Sequence, residues 1–251
     1  MLTLKKLILN TAFYLFFFLL TILYTVVLTL LMIGVRVLSS DHEVNRQLRL
    51  GIRWYGRILI WVLPQPFLKV KYTNKSRQEN KDLPCIVICN HRSSSDPFLM
   101  ACLSFDLIQI VNKWPFRIPF LGWVARLSGY LSVNEMSFEE FRYRCGNILD
   151  QGVSVVAFPE GTRSGSRAMG QFRSATFRIA LEKKVPIVPL CITGNEDKPL
   201  RGSFWLNPGT ILIHKLPPVP YEEFKDFSPF KLKNYIRDII ERETKVMDSQ
   251  K

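Results

Sequence analysis

Three histidines among 251 residues leave little material for a histidine-rich metal centre. The five cysteines are odd in number and show no paired metal-ligand spacing. Three of them stand inside apolar runs and read as small core residues, which fits a reducing compartment and excludes a disulfide framework. No serine or cysteine stands in a recognisable nucleophile motif, and there is no internal repeat or low-complexity tract. The chain also lacks a helix-turn-helix, a zinc finger or an aromatic RNA-binding signature. Its net charge of +13 and pI near 9.7 therefore point to an anionic membrane surface rather than to nucleic acid.

Charge is missing altogether from Leu7 to Val35, 29 positions dominated by Leu, Phe, Ile, Val and Tyr. As a helix this run is about 43 Å long, more than the roughly 30 Å of a hydrocarbon core. It is too long for a signal-peptide core, and no small-x-small cleavage site follows it. One tilted spanning helix is the simple reading, and a hairpin dipping into one leaflet is the alternative. Residues 1–40 are thus expected to be a membrane anchor. Lys5 and Lys6 precede the run, and Arg36, Arg46, Arg49, Arg53 and Arg57 follow it. The excess on the later side places the remainder of the chain on the cytoplasmic face.

Within residues 41–66 those later arginines recur at spacings of three and four, and Trp54, Tyr55, Ile58, Trp61 and Val62 form an adjacent apolar stripe. This reads as an interfacial helix on anionic lipid, or as a core-packing helix with a solvated basic face. Gly51 and Gly56 weaken it by about 1 kcal/mol each relative to Ala.

Residues 67–251 read as one α/β domain. Thr73 to Leu83 is polar and charged, an exposed loop. Strands are expected over 84–89, 107–111, 130–133, 153–158, 187–192 and 210–214, with helices over 97–103, 120–127, from Ser137 to Gly152 and from Ser228 to about Lys245. Such alternation implies a mostly parallel sheet flanked by helices, with ligands at the carboxyl ends of strands.

Two stretches carry chemistry. In Asn90-His91-Arg92-Ser93-Ser94-Ser95-Asp96-Pro97, a histidine stands five residues before a carboxylate. Asp96 can hold the imidazole in one tautomer, leaving His91 as a base for a hydroxyl that a substrate supplies. Asp96-Pro97 equally has the form of a helix start, with Asp96 as N-cap. Backbone N–H groups near that start are candidates to stabilise an oxyanion. The second stretch, Phe158-Pro159-Glu160-Gly161-Thr162-Arg163, follows an apolar strand and ends in a guanidinium suited to phosphate, or to a surface ion pair.

Taken together and in this order, the two stretches resemble the motifs of the 1-acylglycerol-3-phosphate O-acyltransferase family. Lys113-Trp114-Pro115-Phe116-Arg117 and the segment Val185 to Leu190 are similar to further blocks of that family, and the resemblance covers about residues 50–220. It implies a glycerolipid acyltransferase-like α/β fold behind N-terminal membrane helices. It implies acyl transfer from acyl-CoA or acyl-carrier protein to the hydroxyl of lysophosphatidate, with no metal and no organic cofactor. It also implies site roles: His91 as general base, Asp96 as its orienting partner, Lys113 and Arg163 on the acceptor phosphate. Glu160, Gly161 and Thr162 would shape the acceptor pocket, with Pro189 supporting it. Where the family pattern has Asp-Arg, this chain has Asn134-Glu135, and Arg173-Ser174-Ala175 replaces the usual Lys-x-Gly. The first departure favours an alternative: the same chemistry on another lysolipid, an amino-acid lipid or a specialised lipid. A remote alternative is a membrane-anchored lipid-binding protein without catalysis.

Overall fold

The structure, a computed structural model, describes residues 2–62, 67–76, 84–112, 114–117, 121–132 and 136–250. Seven strands form one sheet: β1 (Leu68–Asn74), β2 (Ile86–Cys89), β3 (Leu107–Val111), β4 (Leu131–Ser132), β5 (Ser154–Ala157), β6 (Ile187–Thr193) and β7 (Gly209–Lys215). Their order is β1-β7-β6-β2-β5-β3-β4. All neighbours are parallel except β6 and β7, so β1 and β7 run against the other five. Every residue of β2, β5 and β6 is buried. This is the reason for their unbroken apolar, β-branched sequences: a central strand with helices on both faces has no solvent side.

The side chains of these strands alternate into two cores. Ile86, Ile88, Val155 and Ala157 meet α5 (Phe138–Asp150), α6 (Ala175–Lys183) and α8 (Pro229–Ser249). Val87, Cys89, Val156 and Val188 meet the short helix α3 (Asp96–Leu99) and the 3-10 turn Met100–Cys102 that continues it. The short helices α4 (Leu121–Leu127) and α7 (Tyr221–Phe224) and a 3-10 turn at Trp114–Arg117 are further elements of this domain. Ser137 caps α5 by accepting the Glu140 N–H, and Ser228 caps α8 through Lys231. The α8 helix runs a turn beyond the expected Lys245, because Met247 is fully buried against the core.

Three expectations are corrected. The loop read from Thr73 begins later, since Thr73 and Asn74 belong to β1. Leu68, Val70 and Tyr72 are half-buried while Lys69 and Lys71 point out, the pattern of an edge strand guarded by lysines. The remainder of that expected loop, 77–83, lies outside the described residues. The 97–103 helix is shorter and tightens into its 3-10 turn.

The third correction concerns the N-terminal helices. The apolar run lies in one unbroken helix, α1 (Leu2–Leu38), with no turn inside it. Helix α2 (Asp41–Trp61) turns back along it. Thr21 bonds the Tyr55 hydroxyl and Tyr24 donates to the Gly51 carbonyl, so later α1 positions meet earlier α2 positions and the pair is antiparallel. The α2 arginines, expected to face anionic lipid, are mostly turned onto the α/β domain instead. Arg49 makes a bidentate pair with Asp106 at 2.7 and 2.7 Å. Arg53 donates to the Ser104 and Phe105 carbonyls, and Arg57 to Ala101. The physical cause is the 3-10 turn and the loop after it, whose Ala101, Ser104 and Phe105 carbonyls are satisfied by guanidinium donors. Trp54 and Trp61 remain exposed, on another side of α2.

The two α2 glycines mark close approach. A Cβ on Gly56 would stand 2.6 Å from the Ala101 Cβ, and one on Gly51 would stand 2.7 Å from Leu28. Gly56→Val is therefore expected to push α2 off the domain and cost about 1–3 kcal/mol. Thermal unfolding of the full-length protein in detergent checks this, and an unchanged midpoint would refute close packing at Gly56.

Candidate active site

The carboxyl ends of β6, β2 and β5 are neighbours in the sheet, and each continues into a site loop. His91 follows β2, Glu160 follows β5 and Asn195 follows β6. The sheet thereby brings together residues 69 and 99 positions apart.

Asp96 is the fully buried centre of this arrangement. Its Oδ2 lies 2.7 Å from His91 Nδ1 and accepts the backbone N–H groups of Arg92 at 2.8 Å and Ser93 at 2.9 Å. Its Oδ1 accepts from the Asn195 side-chain amide. A carboxyl group surrounded by donors is held as an acceptor, so Nδ1 of His91 carries the proton and Nε2 is left with its lone pair. The His91 side chain is 18% exposed and packs beside Phe158, with ring centroids 4.8 Å apart. The imidazole is therefore held at Nδ1 while the side chain stays partly exposed.

Asp96 opens α3 as its first residue, with Ser95 at the N-cap making no side-chain cap bond. Its carboxylate turns back to the loop it follows rather than capping α3. The expected oxyanion donors near Pro97 are also taken up. The Asp96 N–H donates to the Ser93 carbonyl, and those of Phe98 and Leu99 donate to the Ser95 carbonyl. They close the turn, so the expectation that they face a reacting carbonyl is not met.

Glu160 joins the two motifs. Its Oε1 accepts the His91 backbone N–H at 2.7 Å and its Oε2 accepts the Gly170 N–H at 2.7 Å. Burial raises the Glu160 pKa, and the two N–H bonds oppose that rise. The backbones add a second join, with Ser164 N–H on the His91 carbonyl and Gly165 N–H on that of Arg92. Gly161 sits in the turn at φ 72°, and a Cβ there would stand 2.9 Å from the Arg173 guanidinium. Gly161 and Thr162 are exposed at the mouth of this turn, and Arg163 is half-buried. Pro189 is buried within β6, paired in register with Ile88, and takes its place in the sheet rather than at the loop surface. Lys113 and the Asn134-Glu135 pair lie outside the described residues.

Several contributors were not singled out from sequence. Asn195 is fully buried on Asp96, yet as Gly194-Asn195 it reads as an ordinary turn. Arg92 is buried between Glu196 at 2.5 Å and Asp248 at 2.8 Å, tying the His91 loop to the end of α8. Asn90 pairs both ways with the Ile192 backbone, at 2.9 and 2.8 Å, which pins the last turn before His91 to β6. Cys89, just upstream, is no nucleophile: burial holds its pKa well above the usual thiol value.

A cavity of about 350 Å³ opens between α2 and the domain. Its lining includes Arg53, Phe98, Met100, Gln109 and Tyr130, and it reaches Pro97, the neighbour of Asp96. It is mostly apolar, and on the site side its lining reaches Ser94 and Pro97.

A family model described as Acyltransferase matches residues 69–193. A chloroplastic 1-acyl-sn-glycerol-3-phosphate acyltransferase of Brassica napus is 31% identical over 156 residues, 60% of this chain and 45% of that protein. The 1-acyl-sn-glycerol-3-phosphate acyltransferase of Salmonella typhimurium is 25% identical over 201 residues, covering 78% of this chain and 81% of its own length. The match spans a little under half the length of the chloroplastic relatives of Brassica napus and Arabidopsis thaliana. The crystal structure of the 1-acyl-sn-glycerophosphate (LPA) acyltransferase of Thermotoga maritima superposes with a TM-score of 0.79, over 99% of this chain and 98% of the other, at 22% identity. That likeness is one of fold.

Glu160→Gln keeps the size of the side chain but turns an NH₂ toward one of two N–H donors. It is expected to destabilise the protein by about 1–3 kcal/mol and to lower activity with it. Denaturant unfolding checks the first; a variant as stable as the parent would show that the Glu160 bridge carries no energy.

Proposed function

This chain belongs to the acyltransferase family, and from that premise we propose that it moves a fatty acyl group from acyl-CoA or acyl-carrier protein to the free hydroxyl of lysophosphatidate. The observation that carries the reading is the 2.7 Å contact between His91 Nδ1 and a fully buried Asp96, which points Nε2 outward as a base. The names of the relatives support lysophosphatidate as acceptor.

In this reading His91 Nε2 takes the proton of the acceptor hydroxyl as its oxygen attacks the thioester carbonyl. The new C–O ester bond forms, the C–S bond breaks, and the imidazolium returns its proton to the departing thiolate. Asp96 holds the ring and stabilises its protonated form. No residue of the protein is acylated, in keeping with five buried cysteines, of which Cys89, Cys102, Cys145 and Cys191 have thiol pKa values raised by burial. Arg163 makes no ion pair among the described residues, which leaves its guanidinium for the acceptor phosphate. Glu160 acts by holding the two loops together; Gly161 and Thr162 border the acceptor's path. The acyl chain lies in the apolar cavity against α2.

Membrane contact follows the packing of α1. This helix is long and apolar enough to cross a bilayer. One of its faces, however, follows the protein from Asn10 through Thr21 and Tyr24. Its other flank exposes large apolar side chains such as Leu15, Phe18, Leu19, Ile22 and Val26. In this reading helix α1 lies in one leaflet, its exposed face in lipid and the site at the headgroup boundary.

The test is acyl transfer by the detergent-purified protein, with labelled acyl-CoA and acyl-carrier protein offered against a panel of lysolipids. His91→Ala is expected to lose at least about 10²-fold in kcat while its unfolding midpoint holds. Arg163→Ala is expected to raise the acceptor KM about 10- to 100-fold. Turnover by His91→Ala at the parent rate would refute the mechanism. Product from another lysolipid alone would keep the chemistry and assign the Asn134-Glu135 departure to acceptor choice.

A further inference from the structure

Asn10 is a polar residue in the apolar run of α1, and it is 5% exposed. Its amide makes a two-way clasp with the backbone of Leu206, donating to the carbonyl at 3.1 Å and accepting the N–H at 2.8 Å. Leu206 ends a tight turn closed by Leu200 N–H on the Trp205 carbonyl and Ser203 N–H on that of Leu200. The turn carries apolar side chains outward: Leu200 is 49% exposed and Phe204 81%. Phe204 lies edge-on to Tyr14 of α1, with ring centroids 6.0 Å apart. Around this contact α1 exposes Leu7, Leu15 and Phe18.

At its base the turn joins the active site. The Lys198 carbonyl accepts the Ser93 hydroxyl at 3.1 Å. Arg201 reaches the Ser164 carbonyl at 3.4 Å and packs over Gly165, the two residues that follow Arg163.

We propose that the turn Leu200–Leu206 enters the same lipid leaflet as α1, as a second membrane contact that sets the depth of the loop bearing Arg163. A single exposed aromatic means little by itself. This one continues the exposed apolar face of a helix to which it is clasped, so lipid that receives one receives the other. Irregular backbone is tolerated at membrane depth only when its polar groups are paired. Leu206 belongs to no strand, and Asn10 pairs both its N–H and its C=O, which also accounts for an asparagine at this point of α1. Arg201, set back from the tip, then lies at the level of lipid phosphates, where cations favour the interface.

The inference rests on α1 entering lipid, and the experiment separates the two. All five native cysteines are buried, so one introduced cysteine directs an environment-sensitive nitrobenzoxadiazole dye to one place. Full-length Phe204→Cys, Leu23→Cys on α1 and Tyr143→Cys on α5 would each be labelled and mixed with phosphatidylcholine–phosphatidylglycerol vesicles. Leu23 and Tyr143 are 63% and 70% exposed, so neither substitution disturbs the core. The expected result is a several-fold rise and blue shift of emission at positions 204 and 23, quenched by nitroxide-bearing lipid, with none at 143. A response at 23 but not at 204 would overturn the inference alone. Silence at both would overturn it together with the membrane reading of α1.

Discussion

The buried carboxylate of Asp96 is the constraint on which the site depends. An ionised carboxyl without water is costly unless donors surround it. Here the imidazole, two backbone N–H groups and the Asn195 amide supply them. Satisfying that one group closes the turn from Arg92 to Asp96, chooses the tautomer of His91 and draws in the loop that follows β6. Each donor is charge-assisted, hence short and directional. A single buried carboxylate and its need for donors thus organise three pieces of chain that the sheet brings only roughly together.

Around it stands a second layer of joins that fix the loops to one another. Glu160 takes the His91 backbone N–H, and Arg92 takes carboxylates from the post-β6 loop and from the last turn of α8. These are contacts to the His91 backbone or to its neighbour Arg92, and none of them is to the imidazole itself. The effect is preorganisation: the imidazole has little freedom left to lose when a substrate arrives. The sheet contributes by placing the ends of β6, β2 and β5 side by side.

Much of this could be read from the sequence because it depends on local pattern. The apolar runs at 86–89 and 154–157 announce central strands, and the five-residue interval from His91 to Asp96 is short enough to close as one turn. What escaped depends on partners far along the chain. Asn195 and Asp96 are 99 positions apart, and no local pattern tells a buried asparagine from one in an exposed turn. The arginines of α2 were ambiguous for another reason: spacing defines a stripe but not what it faces, and Arg53 and Arg57 find the carbonyls of Ala101, Ser104 and Phe105. Strand β1 was overlooked because an edge strand is half polar, and its lysines resemble the loop beyond them.

Helix α2 holds two positions at once. It is the inner half of the N-terminal hairpin, and it walls the apolar cavity that reaches Pro97. Protein engineering cannot treat it as a detachable handle. Trimming the chain behind α2 to improve solubility would open the cavity to water, while trimming ahead of it would bare the flank that α1 covers at Tyr55 and Gly51. In this architecture one helix is both the inner flank of the apolar hairpin and a wall of the apolar cavity, so a change to either surface is felt at the other.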